Sequence, residues 1–159
     1  MNYNQLIPIQ NINNEHFQAL LLQEHHISLC NIDLVEGTLE KSQNLKIEYD
    51  EIVLNRLHNE AYMCKFDTHR QQLHFHHIHF EDFSKLKTVT MNLSQYFTSD
   101  EMCSSTLYSK LVYVGPNHLL YFITRRPIQF GRPFYQAIFL VNIETSKLIK
   151  LDPTLPNGD

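Results

Sequence analysis

The sequence predicts an α+β fold: an antiparallel β-sheet built from successive hairpins, with an N-terminal helix and a second helix near residues 98–110. Three observations carry this. Apolar residues recur at helical spacing in 13–26, a capping box opens at Thr98, and the remaining apolar runs are short and joined at hairpin rather than crossover length.

Asn13–His26 reads as the first helix. Asn13 or Asn14 stands as its N-cap, Glu15 lies in the first turn, Phe17, Leu20 and Leu21 share a face, and His25 and His26 sit near the C-terminal dipole. Cys30, Ile32 and Leu34 then alternate with polar residues until Gly37, as in a strand. Thr38–Leu39 and Leu45–Tyr49 flank a polar Lys-Ser-Gln-Asn turn and suggest a hairpin; Ile52–Leu57 fits a strand or a short helix. Ala61–Asp67 and Leu73–Phe80 form a second hairpin. Thr98 and Glu101 make the capping box of a helix ending near Lys110, with Cys103, Leu107 and Leu111 on its buried stripe. Leu111–Val114 pairs with Leu119–Thr124 through Gly115-Pro116-Asn117, and Phe134–Ile143 pairs with Lys147–Leu151. This last hairpin resembles one from a β-propeller blade. The turn centres, however, recur at roughly 47 and 29 residues, whereas propeller repeats keep a fixed period, so the α+β reading is preferred.

At 159 residues with four glycines and no linker, residues 1–159 read as a single domain, with about 152–159 a frayed polar tail. The N-terminus lacks a basic, apolar leader and no run is long enough to span a bilayer, so a cytoplasmic location is expected. Cys30, Cys64 and Cys103 are unpaired in spacing and read as buried reduced thiols. Net charge is −4, which disfavours a general nucleic-acid coat. Residues 1–60 hold nine acids against three bases, while residues 102–143 hold Lys110, Arg125, Arg126 and Arg132 and no acid.

Ten histidines stand out, four of them in LHFHHIHFEDF. On an unbroken strand His74 and His76 would share one face and His77 and His79 the other. Each pair could supply two imidazoles to a metal, with Asp82, Glu81 or His69 as a third ligand. The preferred geometry instead places a β-bulge at His76-His77. That keeps Leu73, Phe75, Ile78 and Phe80 inward and turns the imidazoles out as one face titrating near pH 6–7. His74 and His76 are the metal candidates; otherwise no cofactor is called for.

TRRPIQFGRPF sets Arg125, Arg126 and Arg132 beside Phe130 and other aromatics in what reads as an exposed loop. It is suited to anions or to a protein partner. No phosphate loop, nucleophile elbow, HExxH or CxxC occurs, and Glu81-Asp82 is the nearest approach to acid/base machinery.

The reading these features favour is a non-catalytic cytosolic protein-binding module. Its acidic residues Glu36, Glu40, Glu48, Asp50 and Glu51 would steer a basic partner, with Arg125, Arg126, Arg132 and Phe130 as anchors. In general character, rather than by motif, a small acidic α+β chain resembles bacterial immunity or antitoxin proteins, which implies inhibition of a toxin by direct binding. The alternatives are a metal-dependent enzyme or sensor on the histidine strand, and an anion- or nucleic-acid-binding module on the arginine loop. No membrane partner is expected.

Overall fold

The structure, a computed structural model, describes residues 4–96, 105–127 and 135–151. These form twelve strands in three four-stranded antiparallel sheets. The N-terminal sheet contains β1 (Gln5–Asn11), β2 (His16–Gln23), β3 (His26–Asp33) and β4 (Thr38–Lys46). The middle sheet contains β5 (Glu51–Asn55), β6 (Glu60–Asp67), β7 (Gln72–His79) and β8 (Asp82–Asn92). The C-terminal sheet contains β9 (Ser105–Gly115), β10 (His118–Pro127), β11 (Tyr135–Asn142) and β12 (Lys147–Leu151). In each sheet the strands lie in chain order, as in a propeller blade.

The expected α+β class is therefore wrong: the described helical content is one 3-10 turn, Arg56–His58. The likeness to immunity or antitoxin proteins rested on that class and falls with it. The first expected helix is β2 and its turns. Leu20 and Leu22 point into the stack while Phe17, Ala19 and Leu21 point away, so a strand apolar on both faces mimics helical spacing. Asn13 does bond to backbone as an N-cap would, but its Oδ1 accepts from Glu15 N and His16 N at 2.8 Å to close a β-turn. Of the second helix, the capping box and Cys103 lie outside the described residues, while Ser105–Gly115 is strand. Thr38–Lys46 is one strand with a bulge opposite Leu29/Cys30, not a hairpin. The hairpins at 61–80, 111–124 and 134–151 match the strand pairs β6/β7, β9/β10 and β11/β12.

A common turn grammar joins the strands. Asn59, Gln71, Asn117, Ser146 and Gly37 all have positive φ, and each immediately precedes a strand. Asp33, Asp67 and Asn142, like Asn13, accept backbone N–H groups of the turn that follows. The carboxylates of Asp33 and Asp67 are held below their ordinary pKa chiefly by those bonds, from Glu36 and Arg70 respectively.

The sheets stack face to face around two cores. Leu20, Leu22, Ile27 and Leu29 of the N-terminal sheet meet Ala61, Met63, Ile78 and Phe80 of the middle one. The other face of the middle sheet, with Tyr62, Cys64, Leu73 and Phe75, meets Leu119, Tyr121, Ala137, Phe139 and Val141 of the C-terminal sheet. Cys30 and Cys64 are buried free thiols, as expected. Gln43 ties the first two sheets, donating Nε2–H to Phe80 O at 2.8 Å and accepting from Phe83 N at 2.6 Å.

Phe75 is fully buried and meets Tyr121 edge-on, ring centroids 6.2 Å apart. Phe75→Ala is expected to cost about 3–5 kcal/mol, read from urea denaturation; a loss under ~1 kcal/mol would mean the two sheets do not share this core.

Candidate functional site

The β6/β7 pairing runs without interruption from Asp67↔Gln72 to Glu60↔His79, so β7 alternates strictly. The register shift falls on the β8 side, between His77 and His79, rather than at the expected bulge at His76-His77. Ile78 and Phe80 therefore face the N-terminal sheet while Leu73 and Phe75 face the C-terminal one, because the middle sheet has a core on each side. The four imidazoles do not form one surface.

His74 and His76 share the face toward the N-terminal sheet. Their Nδ1 atoms lie 2.9 Å from the hydroxyls of Thr90 and Thr88, their cross-strand neighbours. Burial, then the neighbouring His74, lowers the His76 pKa, which disfavours the charged ring. Among the described residues this expected metal pair gathers no third ligand. Glu81, Asp82 and His58 line a separate cleft of about 190 Å³, together with His79.

The opposite face carries a cluster that the residue pattern did not single out. Glu60, His77 and His79 present ligand atoms that all lie within 4.8 Å of one another. Left-handed Asn59 starts β6 at Glu60, which puts its carboxylate beside β7 at the end of the sheet. His77 Nε2 is 2.7 Å from Glu60 Oε2, and His79 Nδ1 is 3.9 Å from the same oxygen. Asn55 Nδ2 and Tyr62 Oη both donate to Oε1 at 3.1 Å. Tyr62 stacks flat on His77, centroids 4.3 Å apart and planes 2° apart, and packs in turn on Tyr113 of the C-terminal sheet. An ionised carboxylate only accepts, so His77 carries its proton on Nε2.

Burial works to raise the Glu60 pKa, but the bonds from His77, Asn55 and Tyr62 outweigh it and hold the carboxyl below its ordinary value. Burial, reinforced by Glu60, pushes the Tyr62 phenol upward, so it stays a donor. The cluster is a partly buried Glu–His₂ set on rigid strands. It can hold a proton between carboxylate and imidazole, or accept a divalent cation with His₂Glu ligation.

The other expected site residues are dispersed. Arg125 and Arg126 belong to strand β10 rather than to a loop, and Phe130 and Arg132 lie outside the described residues. Glu36 is exposed in the turn between β3 and β4, Glu40 is exposed on β4, and Glu48 is exposed on the connection that follows. Asp50 bonds Lys65 Nζ and Phe66 N, each at 3.0 Å. Glu51 borders a cleft of about 550 Å³ with Lys65, Tyr108 and Tyr121. Burial, then Asp50, raises its pKa. No described helix is long and apolar enough to cross a membrane.

A depressed Glu60 pKa contributes stability above the unfolded value of about 4.3, and that contribution is lost as pH falls through the lower folded value. Glu60→Gln is expected to lower stability at neutral pH and to flatten its fall between about pH 5 and 3. Parallel urea titrations of the two proteins would check this; equal pH slopes would contradict it.

No known protein family matches the sequence, and no curated protein does. Among solved structures, an uncharacterized protein of Listeria monocytogenes EGD-e, lmo1340, is similar in fold. Its TM-score is 0.54 at 9% identity, over 96% of this chain, and the chain spans 41% of that protein's length.

Proposed function

We propose that this chain is a non-catalytic protein-binding module whose binding surfaces are the two end faces of its sheet stack. The supporting observation is the outer face of the C-terminal sheet. Registered neighbours Val112, Leu120, Leu140 and Ile149 form an apolar row across all four strands. Phe122, Ile138 and Leu151 form a second. Val112, Ile149 and Leu151 are exposed, and Val114 and Tyr108 extend the patch. Contiguous exposed apolar surface of this kind marks interaction sites, whereas scattered single residues do not.

Protein captured from source cells is expected to retain a stoichiometric protein partner that the folded double variant Val112→Lys/Ile149→Lys loses. Equal retention by both proteins, or none by either, would reject this use of the face.

A second reading, metal binding, is favoured by the Glu60–His77–His79 set. Tag-free protein titrated with Zn²⁺ would bind one ion per chain, with affinity lost in His77→Gln/His79→Gln and kept in His74→Gln/His76→Gln. The reverse pattern, or no binding by folded protein, would reject it.

A further inference from the structure

The inner face of the N-terminal sheet changes character along its strands. Leu20 and Leu29 lie in the core shared with the middle sheet. Two residues away along each strand, and so on the same side, stand Gln18 and Asn31. Gln10 of β1 is registered with Gln18, and Gln18 with Asn31, so three amides form a row across β1, β2 and β3. The bulge in β4 sets Ser42 and Gln43 beside that row. The row faces the end of the middle sheet, where Asn59 precedes β6 and Phe80-Glu81 joins β7 to β8. Between the two sheets lies a cleft of about 410 Å³, a size at which small-molecule sites are found.

We propose that this cleft binds a neutral carbohydrate, held by the row of Gln10, Gln18 and Asn31. The inference goes beyond the protein-binding reading and does not depend on it, since the apolar face described above belongs to a different sheet. Charge, hydrogen bonding and the position of the row select this ligand.

Glu81 is the one ionisable side chain among the described residues lining the cleft, and it is exposed. With no Lys, Arg or His among them, an anion finds no counter-charge there. A single carboxylate among amides also falls short of the ligand charge that hard divalent cations take. The ligand that suits these walls is uncharged.

Its hydrogen-bonding character follows from the amides. Gln10 Nε2 donates to Gln18 Oε1 at 2.7 Å, leaving Gln10 Oε1 as an acceptor and Gln18 Nε2 as a donor for other partners. Among the described residues, Asn31 Oδ1 is the buried side-chain oxygen or nitrogen with no hydrogen-bond partner. Such orphans are rare in folded proteins, and turning the amide over only puts Nδ2 in the same place. Mixed donors and acceptors of this kind are matched by a ligand whose groups each do both. A hydroxyl donates and accepts, whereas a carboxylate only accepts and an ammonium only donates. Several hydroxyls on one neutral scaffold describe a sugar, and its carbon-bound hydrogens suit Leu29 and Phe80, the apolar residues at the cleft.

An extended peptide also carries donors and acceptors, but it docks by pairing with the backbone of an open sheet edge. This row consists of side chains on a sheet face. Asn59 and Glu81 line the neighbouring cleft of about 190 Å³ as well, together with His58 and Lys85. The two clefts therefore adjoin, which favours a chain of sugars over a single ring.

The test presents folded full chain to an immobilised panel of neutral oligosaccharides of glucose, galactose, mannose, xylose and N-acetylglucosamine, with sialylated and sulfated glycans beside them. Binding of a neutral member is expected, and its affinity is then measured by calorimetry with the free sugar. Gln18→Ala/Asn31→Ala is expected to weaken binding roughly a hundredfold, about tenfold for each amide. Gln10→Ala, at an exposed position, is expected to weaken it roughly tenfold. Val112→Lys/Ile149→Lys is expected to bind the sugar as wild type does. Undiminished affinity in both amide variants, shown folded by circular dichroism, would overturn the site. Binding of acidic glycans alone, or of no glycan, would overturn the carbohydrate while leaving the protein-binding reading untouched. A protein partner lost in Gln18→Ala/Asn31→Ala and kept in Val112→Lys/Ile149→Lys would make this cleft the protein site, and would overturn both.

Discussion

The middle sheet is buried on both faces, and the rest of the structure depends on that double burial. Along β6, Ala61 and Met63 go to one core while Tyr62 and Cys64 go to the other. Such a strand has no polar side to spare, so the polar side chains of β6 and β7 gather where bonds can satisfy them. Glu60 collects donors from Asn55, Tyr62 and His77, and His74 and His76 use cross-strand threonines. The candidate site is in this sense a product of packing: a carboxylate and two imidazoles meet at the end of an interface whose centre tolerates only apolar groups.

The same burial explains what could and could not be read from the residues. Period-two alternation signals a strand with one wet face, and it served where turns were sharp, as at Asn117 and in the hairpin from Ala61 to Phe80. β2 is apolar on both faces, so Phe17, Leu20, Leu21 and Leu22 imitate a helix. β4 lies at an edge, and its exposed Lys41, Ser42 and Asn44 imitate a turn. A bulge in the histidine strand follows only if its apolar residues serve one core; they serve two.

Blade-like organisation shows in the last hairpin, but uneven turn spacing hides the repeat because the turns compared are not equivalent. The turn near residue 70 joins second and third strands of a sheet, the one at Asn117 first and second, and the one near 145 third and fourth. Gln5 and Glu51, which open equivalent sheets, show the repeat better. Glu60 is hard to read as their partner for a related reason, being distant from the histidines in sequence. Extending the expected β6/β7 hairpin to its end would have placed it opposite His79.

Among the described residues every hydrogen-bonded strand pair joins neighbours in the chain, so none of these sheets waits for a distant described segment to supply a strand. A nascent polypeptide can zip each sheet as it leaves the ribosome, closing only short loops and losing little chain entropy at each step. The sheets themselves are less independent. The first one made exposes Leu20, Leu22, Ile27 and Leu29 until the second covers them, and the second exposes Tyr62 and Phe75 until the third arrives. Synthesis therefore passes a sticky edge from sheet to sheet, and the interval before each successor emerges is when this chain is most exposed to aggregation.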